Sequence, residues 1–124
     1  MKVSHLMIKD FIRSRKEASI HDVVKSMFEK HVGSVIILDE TEKAVGIFTE
    51  RDIIRVVAQN IPLNWNVEKV MTKNVYTVPE DVPFKDARQI ILERKVRHLP
   101  VTDSEGKVVG LISIRQVYQE LFEM

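Results

Sequence analysis

The sequence predicts an α+β fold: one βαββα unit written twice, the two copies packed with pseudo-twofold symmetry into a single module. Two observations carry this. First, the chain superimposes on itself without a gap at an offset of 64 residues, the separation of Met7 from Met71. At that offset Lys9 meets Lys73, Asp22 meets Asp86, Glu29 meets Glu93, Val32 meets Val96 and Asp39 meets Asp103. Lys43 then meets Lys107, Val45-Gly46 meets Val109-Gly110, and Arg51 meets Arg115. Repetition along the whole length marks an architectural repeat rather than chance identity. Second, each copy runs through the same change of hydrophobic period, from a helical stripe to short apolar strands and back to a helix.

The elements follow in order. A short extended segment is expected after Met7 and after Met71, reaching Val75-Tyr76-Thr77 in the second copy. Ile20, Val23, Val24, Met27 and Phe28 form a helical stripe, and so do Phe84, Ala87, Ile90 and Ile91. Ser19 suits the N-cap of the first helix, and Pro83 suits the first turn of its counterpart. Strands are expected at Ser34–Leu38 and Ala44–Phe48, then at His98–Thr102 and Val108–Ile112. Asp39-Glu40-Thr41-Glu42-Lys43 and Asp103-Ser104-Glu105-Gly106-Lys107 are their turns. Helices over about Glu50–Gln59 and Ile114–Phe122 close the units. The repeats are placed at residues 1–60 and 67–124, with 61–66 as connector. Neither copy alone is long enough to cover both faces of so short a sheet, so the two are expected to share a core. Trp65, within the connector, is expected to pack over the module.

Composition narrows the function. Nineteen basic and eighteen acidic residues in a chain of 124 leave a net charge of +1, which argues against a dedicated nucleic-acid binder. The chain has no cysteine, so disulfides and thiolate chemistry are excluded. His5, His21, His31 and His98 lack metal-site spacing, and no metal is expected. Four glycines leave no phosphate-binding Gly-rich loop, and no nucleophile elbow is present, so no catalytic residue is assigned. No segment has the roughly 18 consecutive apolar residues of a membrane helix, and no signal peptide is read, so a soluble cytoplasmic protein is expected.

Several segments resemble the CBS domain family, named for cystathionine β-synthase. They are Arg97-His98-Leu99-Pro100-Val101-Thr102-Asp103 and Val109-Gly110-Leu111-Ile112-Ser113, with Gly33-Ser34-Val35-Ile36-Ile37-Leu38-Asp39 and Val45-Gly46-Ile47-Phe48-Thr49-Glu50-Arg51-Asp52 as their first-copy partners. Val70-Met71-Thr72 and Val78-Pro79-Glu80-Asp81 add to the likeness, which spans Met7 to Phe122. The resemblance is to a stand-alone pair with no effector domain attached. It implies a non-enzymatic regulatory sensor, with AMP, ADP, ATP or S-adenosylmethionine bound in a cleft between the repeats. It also implies no required cofactor, a homodimer, and an effector protein as partner.

Thr49 is the expected N-cap of the helix it precedes, where free N–H groups and the helix dipole favour an anion. By the resemblance, Asp52 takes the ribose, while Arg97, His98 and Arg115 join Thr49 at the phosphates. Arg13, Ser14, Ala18, Ile20 and Ile36 line the adenine pocket, and Arg13-Ser14-Arg15-Lys16 departs from the family's usual small residue and turn. Thr77, Val82, Pro100, Ser113 and Gln116 form a second, weaker site. Thr-x-x-Asp is also a variant capping box that needs no ligand, and Gln116 fits that structural role better than Asp52 does. Arg94 and Lys95 are expected to be solvated charges at a helix C-terminus. The alternatives are a ligand-free interaction scaffold and a nucleic-acid binder using Arg94, Lys95, Arg97 and His98.

Overall fold

A computed structural model of the chain describes residues 1–123. In chain order the elements are α1 (Val3–Leu6), β1 (Arg13–Ser14), α2 (Ile20–Lys30), β2 (Ser34–Leu38), β3 (Ala44–Thr49) and α3 (Glu50–Ala58). A 3₁₀ turn (Val67–Lys69) follows, then β4 (Val78–Pro79), α4 (Phe84–Arg94), β5 (His98–Thr102), β6 (Val108–Ser113) and α5 (Ile114–Glu123). Two three-stranded sheets result, β1-β2-β3 and β4-β5-β6. In each, the short first strand runs parallel to the second, and the second pairs antiparallel with the third. The predicted α+β repeat pair is therefore present.

The compact units are cut differently from the repeats. One is the continuous stretch Ile12–Val75; the other combines Met1–Phe11 with Tyr76–Met124. We refer to these as the continuous and the split unit.

In the continuous unit, Ile20, Val23, Met27, Val35, Ile37, Phe48 and Val56 form the core, closed by Val67, Val70 and Met71. Ser19 caps α2 by accepting from the Asp22 N–H, as its sequence position suggests. The N–H groups of Ile20 and His21, unpaired within the helix, donate to Trp65 O and Leu63 O. The segment after Pro62 thus finishes the start of α2. Trp65 itself is 42% exposed, with the Lys69 ammonium 5.0 Å from its ring centroid.

The split unit repeats this with the chain's first residues in place of that segment. Its core is Val3, Val78, Phe84, Ala87, Ile91, Leu99, Val101, Ile112 and Val117. Phe84 N–H donates to Met1 O, Val3 N–H to Val82 O, and Ser4 N–H to Glu80 O. The counterparts in the continuous unit are Ile20 to Trp65, Val67 to Ala18 and Glu68 to Lys16. Residues 1–8 therefore occupy the structural position of residues 65–72.

The first strands differ from expectation. The stretches after Met7 and Met71 are not ladder strands; each makes one isolated antiparallel bridge, Ile8 to Leu111 and Thr72 to Ile47. The paired first strands lie further on, at Arg13–Ser14 and Val78–Pro79. A two-residue edge strand has no alternation for a sequence pattern to show. Pro83 sits at the N-cap, one residue before the predicted first turn, because its ψ of 146° is extended.

One pair of positions changes chemistry between the units. Val24 and Val56 pack in the core of the continuous unit; their counterparts are Arg88 and Glu120, joined by a 2.7 Å ion pair. Both charged side chains are about seven-tenths buried, and Glu120 Oε2 is buried without a hydrogen-bond partner.

Candidate functional site

The predicted chemistry centres on the two strand-to-helix junctions, Thr49–Asp52 and Ser113–Gln116. In the continuous unit, β3 delivers Thr49 to the N-cap of α3, and Asp52 turns back over it one helical turn later. Asp52 Oδ2 accepts from Thr49 N at 2.9 Å and from Thr49 Oγ1 at 3.4 Å. Asp52 Oδ1 accepts from Arg55 Nη2 at 3.1 Å. The Asp52 side chain is only 10% exposed, and it is paired and hydrogen-bonded as a buried charge must be. The capping box that the sequence allows is therefore made, and it engages the residue expected to hold ribose.

The split unit does the same with a neutral group. Gln116 Oε1 accepts from Ser113 N at 2.8 Å, and Gln116 Nε2 donates to Leu6 O. Aspartate has no donor, so in the continuous unit the corresponding bond falls to Arg55, whose Nη2 reaches Val70 O at 2.6 Å. Val70 and Leu6 are equivalent positions, as are Arg55 and Gln119. Position 52/116 thus ties the helix cap to the segment that closes each unit. Arg55 was not read from the sequence; its signal was an Arg three residues after Asp52 where the other copy has Gln.

The other predicted residues divide by unit. Arg13, Ser14 and Ala18, with Arg15, Glu17 and Leu38, line a depression of about 470 Å³ in the continuous unit. Ile20, in the core of that unit, and Ile36 are both wholly buried. Arg15 clamps the β2–β3 turn, donating to Leu38 O, Asp39 O and Glu42. Beside Thr49, the Glu50 carboxylate lies over Gly33, where a Cβ would sit 2.5 Å from Glu50 Oε1.

The equivalent end of the split unit is basic. Arg97 and Arg115 are exposed and His98 is half-buried. His98 pairs with Ser113 across the β5–β6 ladder, and Ile114 N–H donates to Arg97 O at 2.8 Å. These contacts gather the three basic residues at the N-terminus of α5, an arrangement that suits an anion. Arg94 is exposed at the end of α4 and stacks over Tyr76, 5.2 Å from its centroid. Lys95 is the left-handed C-cap of the same helix. Of the second-site residues, Pro100 is buried, Val82, Ser113 and Gln116 are half-buried, and Thr77 is exposed. No group of three or more potential metal ligands occurs among the described residues. No helix among them is long and apolar enough to cross a membrane.

Comparison with known proteins accounts for the repeat. The CBS domain family model matches twice, at residues 3–59 and 67–123. A 17.7 kDa protein of Acidianus ambivalens is 37% identical over 99% of this chain and 74% of its own length. The homoserine O-acetyltransferase of Methanohalobium evestigatum is 30% identical over 93% of this chain, which spans only 23% of that enzyme. Among solved structures, the CBS domain pair of protein MJ0100, in complex with 5′-methylthioadenosine and S-adenosyl-L-methionine, is 28% identical with a TM-score of 0.88. That match covers 99% of this chain and 97% of the other. The chain belongs to the CBS domain family, as a tandem pair of its repeats.

Proposed function

We propose that the chain is a regulatory, non-catalytic sensor of an adenosine-containing ligand: AMP, ADP, ATP or an S-adenosylmethionine-type compound. Occupancy is passed to an effector protein through different affinities for two arrangements of the pair. One observation carries the reading: a 28% identical CBS pair, matched over 99% of this chain, holds two ligands that share an adenosine moiety. Asp52 supports it. Its carboxylate is fixed by the cap, and Oδ1 keeps a lone pair beside Arg55 with which to accept from a ribose hydroxyl. Arg13, Ser14 and Ala18, around the depression, offer an adenine its surroundings. In the split unit, phosphate-type anions suit Arg97, His98 and Arg115.

Thermal unfolding with AMP, ADP, ATP, S-adenosylmethionine and GTP tests the reading. A ligand at 100 times its Kd adds about 2.7 kcal/mol to stability. Asp52→Asn keeps an acceptor for the Thr49 N–H but removes the charge, and is expected to weaken binding by about 1.5–3 kcal/mol. No shift with any adenosine compound overturns the proposal.

A second reading, association through the helices, is favoured by one pattern. Phe28, Ile54 and Val57 are exposed, and so are Leu92, Tyr118 and Leu121 at the equivalent positions. The same apolar surface occurs twice per chain, which suits a second copy in a closed, self-complementary dimer. Light scattering on the protein and on Ile54→Lys checks it: a dimer that becomes a monomer supports the reading, and a monomeric parent overturns it.

A further inference from the structure

A single nitrogen, Arg55 Nη2, donates both to Asp52 Oδ1 and to Val70 O. Those two bonds use both of its hydrogens. Val70 opens the segment that leaves the continuous unit. Val70 and Met71 are buried in its core, and Thr72 exchanges backbone bonds of 2.9 and 3.0 Å with Ile47. The guanidinium thus stands between the carboxylate assigned to ribose and the departing chain.

We propose that Arg55 couples occupation of Asp52 to the order of the Val70–Thr72 segment. The proposal rests on the adenosine-ligand reading above. Asp52 Oδ2 already accepts twice from Thr49, so vicinal hydroxyls entering here meet Arg55 at Oδ1. Oδ1 has one lone pair left beside Arg55, so the second of two vicinal hydroxyls competes with the guanidinium, and water can replace the lost contact because the Arg55 side chain is 42% exposed. The nitrogen that shifts is the one holding Val70 O. Ligand and Val70 therefore draw on Arg55 in opposite directions, and the effect is reciprocal. The split unit has no such device. Gln116 caps the helix and holds Leu6 O with one neutral side chain, and Gln119 replaces Arg55.

Amide hydrogen exchange on the full chain, with and without AMP and S-adenosylmethionine, provides the test. Bound ligand is expected to speed exchange at Thr72 about two- to fivefold, the range of a partly exposed ion pair. The Asp103 amide, bonded to Lys107 O at 2.9 Å in the turn of the split unit, is the unaffected control. Arg55→Met speeds Thr72 exchange without ligand, abolishes the response to ligand, and tightens binding by a similar factor. Should Arg55→Met not fold, Arg55→Gln, which carries the residue the split unit has at 119, leaves Asp52 intact and is expected to lose the response of Thr72 to ligand in the same way. Ligand binding with unchanged or slower Thr72 exchange overturns the proposal while leaving the functional reading standing. No binding by either compound overturns the functional reading, and this proposal with it.

Discussion

Met71 lies across Gly46 so closely that a β-carbon on residue 46 would sit 2.8 Å from the methionine Cγ. Met7 repeats the contact on Gly110, where a β-carbon would lie 2.5 Å from Sδ. In each unit the segment from the opposite end of the repeat is held by a thioether on a bare stretch of strand. Met71 is buried, whereas Met7 is half-buried with more freedom to move. Gly46→Ala is therefore expected to cost about 1–3 kcal/mol, and Gly110→Ala less. Denaturant unfolding measures both. Adding Met71→Ala to Gly46→Ala should give a non-additive, partly recovered stability.

The Arg88–Glu120 pair sits where the continuous unit has Val24 and Val56. Removing one partner leaves a largely buried charge, so Arg88→Val and Glu120→Val should each destabilise. Arg88→Val is the worse, at about 2–4 kcal/mol, because Glu120 is then uncompensated. The double variant, which copies the arrangement of the continuous unit, should return to within about 1 kcal/mol of the parent or exceed it. A thermal double-mutant cycle reads the coupling.

Gln116 both accepts and donates, which its amide allows and a carboxylate does not. Gln116→Asp keeps the cap but orphans Leu6 O, with an expected cost of about 1–2 kcal/mol. Adding Gln119→Arg rebuilds the Asp–Arg relay seen at Asp52 and Arg55 and should recover most of it. Failure of the pair to recover stability would show that the two junctions are not interchangeable.

Asp39 closes the β2–β3 turn by accepting from Thr41 Oγ1 at 2.7 Å and from the N–H groups of Thr41 and Lys43. The Thr41 hydroxyl, followed by the backbone bond from Lys43, holds its pKa below the ordinary 3.8. A carboxyl with a lowered folded pKa stabilises fully above its unfolded value, and that contribution fades as pH falls through the folded one. Carbon-detected NMR titration should place Asp39 below 3.8, and Thr41→Val should move it up toward that value.

Most of the fold was legible in the sequence because the repeat supplied two readings of each element. The hairpins β2–β3 and β5–β6 and the four long helices lie where periodicity and turn residues put them. The first strands were misplaced because bridges at Ile8 and Thr72 leave no ladder, while β1 and β4 are only two residues long. At the candidate site, Thr49, Asp52 and Gln116 were legible as capping residues. Arg55 was not, because its partner Val70 O is a backbone atom fifteen residues away that no side-chain pattern announces.

The uneven division of the chain has a consequence for how it folds. The continuous unit, Ile12–Val75, can nucleate from its own contiguous chain, whereas the split unit must first bring Met1–Phe11 to Tyr76 and beyond. Closing that loop through a disordered intervening chain costs more entropy than closing it around an already collapsed one. The continuous unit is therefore placed to fold first, which shortens the loop that the split unit must then close. Cutting the chain after Phe11 would leave the first step intact and abolish the second.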